Sequence, residues 1–248
     1  MTHTAALPAA QSTRSLPASL LRSVIVGLGM MIGLGQCAVA AETGANKQPT
    51  IRAMLGAKST DRLDPETTVL VVIDFQNEYF TGRMPIPDGM KALENTQRLI
   101  KFADKEKIQV IHVQHIAPEG AAVFAKNGKT VDFHALMKPR VQDKLVQKTT
   151  VSVFASTDLD AQLKKAGVKT LIISGLMTHA CVAGAARDAA PLGYDVVVAS
   201  DASATRAITR ADGRSVTKDE LHNSALAEIE DTFGSVLTTS QIIALPVN

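Results

Sequence analysis

The run Val69-Leu70-Val71-Val72-Ile73 is continuously apolar, mostly β-branched, and ends in Asp74. A strand with one wet face alternates apolar and polar residues. A strand buried on both faces does not, and such strands belong to parallel sheets covered by helices. Further strands are read at Ile108–Gln114, Lys169–Ser174, Asp195–Ser200 and Ser235–Leu237, with a short, weakly alternating one at Thr149–Phe154. Helical spacing separates them. Met90, Leu93, Leu99 and Phe102 share a face of a helix over 88–106. Thr157 caps a helix through Lys165 that stops at Gly167. Ala180–Leu192 forms a helix ending at Gly193. A helix over 217–231 turns Leu221, Leu226 and Ile229 inward, and Ser240–Leu245 is a last helical turn. The alternation predicts one doubly wound α/β domain with a central parallel sheet and helices on both faces. Residues 115–147, with Pro118, Gly120, Gly128 and Pro139, read as an irregular lid or oligomer contact, because connections of that length are usually functional.

Residues 1–40 read as an export signal. Arg14 and Arg22 precede an apolar stretch over Ser23–Gly35, which ends at the small-x-small cleavage pattern Ala38-Val39-Ala40. A retained membrane anchor is the alternative, but the stretch is short and Gly-rich for a span needing about 20 apolar residues. Leu34-Gly35-Gln36-Cys37 loosely resembles a lipoprotein box, with Gln36 where a small residue is usual. Residues 41–65 are polar and read as a flexible tether before a domain over 66–248. Export, to the periplasm, is therefore expected. Cleavage leaves 24 basic and 24 acidic residues, with no basic block to grip nucleic acid or adsorb to a membrane. It also leaves Cys181 as a single cysteine, which has no internal disulfide partner.

In such folds ligands sit outside the carboxyl ends of the strands. Asp74 and the segment Gly175–Cys181 both fall at that edge. Cys181 lies in the first turn of a helix, where unpaired N–H groups and the helix dipole favour a thiolate and an oxyanion. A buried inert thiol is the competing reading. An acid closing an apolar run is costly to bury without a partner or a task, which makes Asp74 the candidate base. His179, two residues from Cys181, reads equally as a polar turn residue or a substrate contact. Lys148 is a candidate cation beside acid and thiol, with Lys138, Lys144, Lys164 and Lys165 as rivals that spacing does not separate.

Three segments together resemble the isochorismatase-like cysteine hydrolases. Val71–Phe80 (VVIDFQNEYF) is similar to their first-strand motif, and Ser174–Val182 (SGLMTHACV) to their nucleophile motif. Lys148–Phe154 (KTTVSVF) is similar to their lysine segment. The resemblance spans residue 66 to the C-terminus. It implies a single Rossmann-like three-layer α/β domain and an Asp74–Lys148–Cys181 triad that cleaves a C–N bond of a small amide-like substrate through a thioester. It also implies a cis peptide at Leu176–Met177, with the Met177 and Cys181 N–H groups as oxyanion hole. Gln76, Phe80, His115, Phe154, Thr178 and His179 are the substrate-binding candidates, and a homodimer or homotetramer is expected.

The chain also departs from the family pattern. His112-Val113-Gln114-His115 lacks the acid and extra histidines of the nicotinamidase metal site, so no metal and no cofactor are expected. Cys181 stands where true isochorismatases carry another residue. Vinyl-ether or carbamoyl hydrolysis, and a non-catalytic binding module on the same fold, are the alternatives.

Overall fold

The apolar run ending in Asp74 is the central strand of a six-stranded sheet. The computed structural model describes residues 48–248. The expected export signal, the lipoprotein-like Cys37 and the start of the tether lie outside the described residues. In chain order the elements are α1 (Ile51–Met54), β1 (Thr68–Ile73), α2 (Gly89–Glu106), β2 (Gln109–His115) and β3 (Lys144–Lys148). There follow α3 (Leu159–Lys165), β4 (Thr170–Leu176), α4 (Ala183–Ala189), β5 (Asp195–Ala204), β6 (Ile208–Thr209) and β7 (Ser215–Val216). The last are α5 (Lys218–Glu228), β8 (Ser235–Leu237) and α6 (Thr239–Ile243). The sheet order is β3-β2-β1-β4-β5-β8, every pairing is parallel, and β6 and β7 form a separate antiparallel ribbon.

All six residues of β1 are buried, as a doubly covered strand requires. Alternate side chains go to opposite faces. Leu70 and Val72 join a core with Leu93, Leu99 and Phe102 of α2 and Ile242 of α6. Val69, Val71 and Ile73 join a second core with Leu159 and Leu163 of α3, Ala185 and Ala186 of α4, and Ile229. The result is the three-layer α/β domain that the apolar runs predict. Among the described residues no helix is long and apolar enough to cross a membrane.

Several local expectations are corrected. The strand expected at Thr149–Phe154 lies at Lys144–Lys148 instead, inside the stretch read as irregular. Only Val146 and Lys148 of it are buried, because β3 is an edge strand, and that removes the apolar run a sequence reading relies on. The helix expected from Ala180 to Leu192 opens with a π-type turn over Thr178–Val182, and its regular part is Ala183–Ala189. Asp158, not Thr157, occupies the cap position of α3, while Thr157 Oγ1 accepts from Leu159 N. Met90 is exposed, and α2 buries Ala92, Leu93, Thr96, Leu99, Phe102 and Ala103. In α5 and its continuation Ala225 and Ile229 are buried, whereas Leu221 and Leu226 are half-buried. The later part of the expected tether is packed on the domain. Leu63 is buried and donates its N–H to Pro246 O, and Thr60 Oγ1 donates to Asp195.

Candidate active site

Four adjacent strands each deliver one polar group to the carboxyl edge of the sheet. Asp74 follows β1, His115 ends β2, Lys148 ends β3 and Cys181 follows β4. His115 and Lys148 are register partners. Asp74 adopts a left-handed backbone, φ 55°, a conformation that Asp tolerates better than most residues. It turns the chain out of β1 just where Gly175 presses against that strand. A side chain on Gly175 would lie 2.3 Å from Ile73 O, so only glycine fits this approach of β4 to β1. The Leu176–Met177 peptide that follows is cis.

Lys148 is the hub. Its side chain is fully buried, and Nζ lies 2.8 Å from Asp74 Oδ2, 2.8 Å from His115 Nδ1, 3.2 Å from Thr150 O and 3.3 Å from Cys181 Sγ. An ammonium has three protons for these four neighbours. The Asp74 contact is a close ion pair rather than an aligned hydrogen bond, since neither carboxylate oxygen meets hydrogen-bond geometry. Ligand atoms of Asp74, His115 and Cys181 all lie within 4.8 Å of one another, a set that could hold a metal ion. Nζ of Lys148 contacts all three of these residues, and so supplies the positive charge at that point.

Burial sets the proton positions. It pushes the Asp74 carboxyl above the usual carboxylate range, against the lowering charge of Lys148. The Cys181 thiol is pushed up to about 12 by burial and by the Asp74 charge, with Lys148 opposing. The helix-start argument for a lowered thiol is thereby corrected: burial and the Asp74 charge outweigh Lys148 and favour the protonated thiol. His115 is driven down to about 4 by burial and by Lys148, so its Nδ1 is a neutral acceptor. The arrangement is a protonated nucleophile beside a carboxylate base, with a cation touching both.

The other expected site residues divide into two groups. His115 touches Lys148. Thr178 is buried with Oγ1 2.8 Å from His222 Nδ1, and His179 Nδ1 lies 2.6 Å from Thr205 Oγ1, so both brace the turn that carries Cys181. Gln76 is buried and spends both amide protons on His115 O (2.8 Å) and Val131 O (2.6 Å). Its oxygen accepts from His115 N. It holds His115 in place. Phe80 packs against His134, with ring centroids 4.5 Å apart. Phe154 stacks on Tyr194, which precedes β5, at 6.1 Å.

Several residues escaped sequence reasoning. Tyr79, in the 3-10 turn Asn77–Tyr79, is buried, and burial together with the nearness of Cys181 and Asp74 holds its phenol well above its usual range. Phe124, with φ 54°, sets its ring 5.2 Å from Tyr79 and 4.9 Å from His115. Buried Glu78 accepts from Arg83 N at 2.6 Å and Thr130 Oγ1 at 2.5 Å, pinning the Phe124 segment over the site. Tyr79 and Glu78 stand inside the first-strand motif. Their uninterrupted neighbourhood of polar and aromatic residues just after a core strand was the available cue. Nothing in the sequence marks Phe124. A cavity of about 510 Å³ lies at the carboxyl end of β5, lined by Ser203, Thr205, Lys218 and His222 among others, and Cys181 does not line it. The chemistry is therefore located by the ion cluster rather than by cavity size.

Known proteins resemble this chain in family and in fold. The family model described as the isochorismatase domain matches residues 68–241. The secreted isochorismatase effector Isc1 of Verticillium dahliae is 33% identical over 193 residues, covering 78% of this chain and 98% of that protein. Streptothricin hydrolase of Streptomyces noursei is 34% identical over 159 residues, covering 64% of this chain and 57% of its own length. The crystal structure of an isochorismatase from Pseudomonas putida KT2440 superposes with a TM-score of 0.72 at 27% identity, covering 78% of this chain and 98% of that one.

Proposed function

The chain belongs to the isochorismatase family of hydrolases, and from that premise we propose that it cleaves a C–N bond of a small amide-like substrate through a thioester on Cys181. The observation that carries this reading is the contact of one buried cation, Lys148, with both Asp74 and Cys181. Asp74 takes the thiol proton as Sγ attacks the carbonyl carbon. Lys148 offsets the charge that this transfer moves. The N–H groups of Met177 and Cys181 hold the oxyanion. Collapse breaks the C–N bond, and Asp74 returns the proton to the leaving nitrogen. Water, deprotonated by Asp74, then cleaves the thioester and releases acid and thiol. His115, Thr178 and His179 line or brace the substrate side. Gln76, Phe80 and Phe154 are further members of the proposed pocket, which act by holding its walls.

The test is hydrolysis of a panel of small amides, ureas and vinyl ethers by wild type and Cys181→Ala, with products identified by mass spectrometry. Amine or ammonia release by wild type alone is expected. Equal turnover by both proteins, or cleavage confined to vinyl ethers, would sink the reading. Export to the periplasm after cleavage at Ala40 is part of the proposal, supported by the apolar N-terminal stretch and by the secreted fungal relative. Cell fractionation tests it. A homodimer or homotetramer is also proposed, with exposed Val141 and Leu145 at the β3 edge as surface to cover, and light scattering reads the mass.

A further inference from the structure

Three residues before His115, β2 carries a second histidine, His112, that the triad does not use. A strand rises about 3.3 Å per residue, which sets His112 roughly 10 Å back from His115 along β2. Its side chain is buried, on the face of the strand that Val110 shares with the α2 core. His112 lines a cleft of about 330 Å³ between the second half of α2 and the loop that follows His134. Neither Lys148 nor Cys181 lines this cleft.

The cleft offers an apolar wall, a buried acceptor and two uncommitted cations. Ile100, Leu136 and Met137 supply the wall. Burial holds His112 below its usual range, so the ring is neutral, while Arg140 keeps Asp143 ionised. His112 Nε2, 3.3 Å from Asp143 Oδ2, therefore carries the one ring proton. Nδ1 is left as a bare acceptor, buried and without a hydrogen-bond partner among the described residues. A buried acceptor in that state costs free energy that a ligand's donor would recover. The two carboxylates that line the cleft, Asp104 and Asp143, are both held by Arg140. Lys101 and Lys138 line it too, are exposed, and have no carboxylate partner among the described residues. The buried acceptor thus stands at the floor and the two ammonium groups at the rim.

We propose that this cleft is a second ligand site, which takes a small apolar carboxylic acid with a hydroxyl at its far end. The O–H donates to His112 Nδ1 at the floor. The apolar body packs on Ile100, Leu136 and Met137, and the carboxylate meets Lys101 and Lys138 at the rim. The site is separate from the triad, so the inference does not depend on which bond is cleaved at Cys181.

The experiment measures binding of three matched probes by calorimetry. They are 3-(4-hydroxyphenyl)propanoate, 3-phenylpropanoate, which lacks the donor, and the methyl ester of the first, which lacks the charge. Cys181→Ala is the background, so that the ester is not turned over. The hydroxy acid is expected to bind with Kd below about 1 mM, and each of the other two at least about fivefold more weakly. His112→Leu should erase the preference for the hydroxyl. Lys101→Glu combined with Lys138→Glu should erase the preference for the acid over its ester. Thermal melts check folding, and the lysine pair, being exposed, reads the site even if His112→Leu unfolds. No saturable binding of the hydroxy acid up to about 10 mM overturns the proposal. So does equal affinity for 3-phenylpropanoate, or binding left unchanged by the lysine reversals, which would place the acid elsewhere on the protein.

Discussion

Asp74 and Asp143 are both aspartates with buried carboxylates, each beside a cation and a histidine near the β2–β3 pair, and their acidities move in opposite directions. Asp74 sits against Lys148 and His115. Asp143 sits against Arg140 and His112, with His112 Nε2 3.3 Å away. Burial raises both, but at Asp143 it is outweighed by three bonds from Arg140, whose backbone N, Nε and Nη2 lie at 2.8, 2.9 and 2.8 Å. Asp74 has one unaligned contact with a lysine shared four ways, so burial prevails. A carboxylate held by a fork of hydrogen bonds is kept from acting as a base. One left half-paired accepts a proton readily.

The opposite shifts carry opposite linkage. Asp143, depressed in the fold, adds stability that is present above the ordinary carboxylate value of 3.8 and is lost as pH falls through its lower folded value. Asp74, raised, favours its protonated form when folded. Its contribution is complete below 3.8 and is lost as pH rises through its folded value. The acid limb of activity belongs to the coupled cluster as a whole.

The largest effect that sharpens this contrast is on turnover. Cys181→Ala and Asp74→Asn should each lower kcat/KM roughly 10³-fold or more, while the melting temperature stays close to wild type. A comparable loss of turnover in Asp143→Asn, with stability intact, would break the comparison. The expected outcome for Asp143→Asn is the reverse. Steady-state turnover should be kept, and urea unfolding should show a loss of about 2 kcal/mol. That is below the usual cost of breaking a buried pair because Arg140 is partly exposed and also holds Asp104.

A smaller effect is on the thiol. The Asp74 charge raises Cys181 and Lys148 lowers it, so Asp74→Asn should bring the thiol below about 12 and Lys148→Met should send it higher. Thiolate absorbance in the ultraviolet, read against Cys181→Ala, gives both values. Shifts of the same sign in the two variants would show that the cluster is not coupled as drawn.

Continuous apolar runs made β1, β4 and β5 legible, and with them the doubly covered sheet and the edge where Asp74 and Cys181 lie. β3 was displaced by several residues because an edge strand buries only alternate positions, and its Lys148 needed the family resemblance to stand out from other lysines. Side-chain roles were less legible than positions. Gln76 reads as a substrate ligand in a motif, but its partners at His115 and Val131 lie 39 and 55 residues away. The aromatics divide in the same way. Phe154 follows Lys148 closely in sequence and stacks on Tyr194, whereas Phe124 stands far from every motif and faces both Tyr79 and His115. Phe154→Leu should therefore cost about 1 kcal/mol in unfolding, with a rise in KM smaller than that of Phe124→Leu. Phe124→Leu should raise KM severalfold for a comparable loss of stability, because its ring is shared with two residues of the cluster. If Phe154→Leu instead raised KM more than Phe124→Leu, sequence proximity to Lys148 would have marked the pocket wall better than the contacts do.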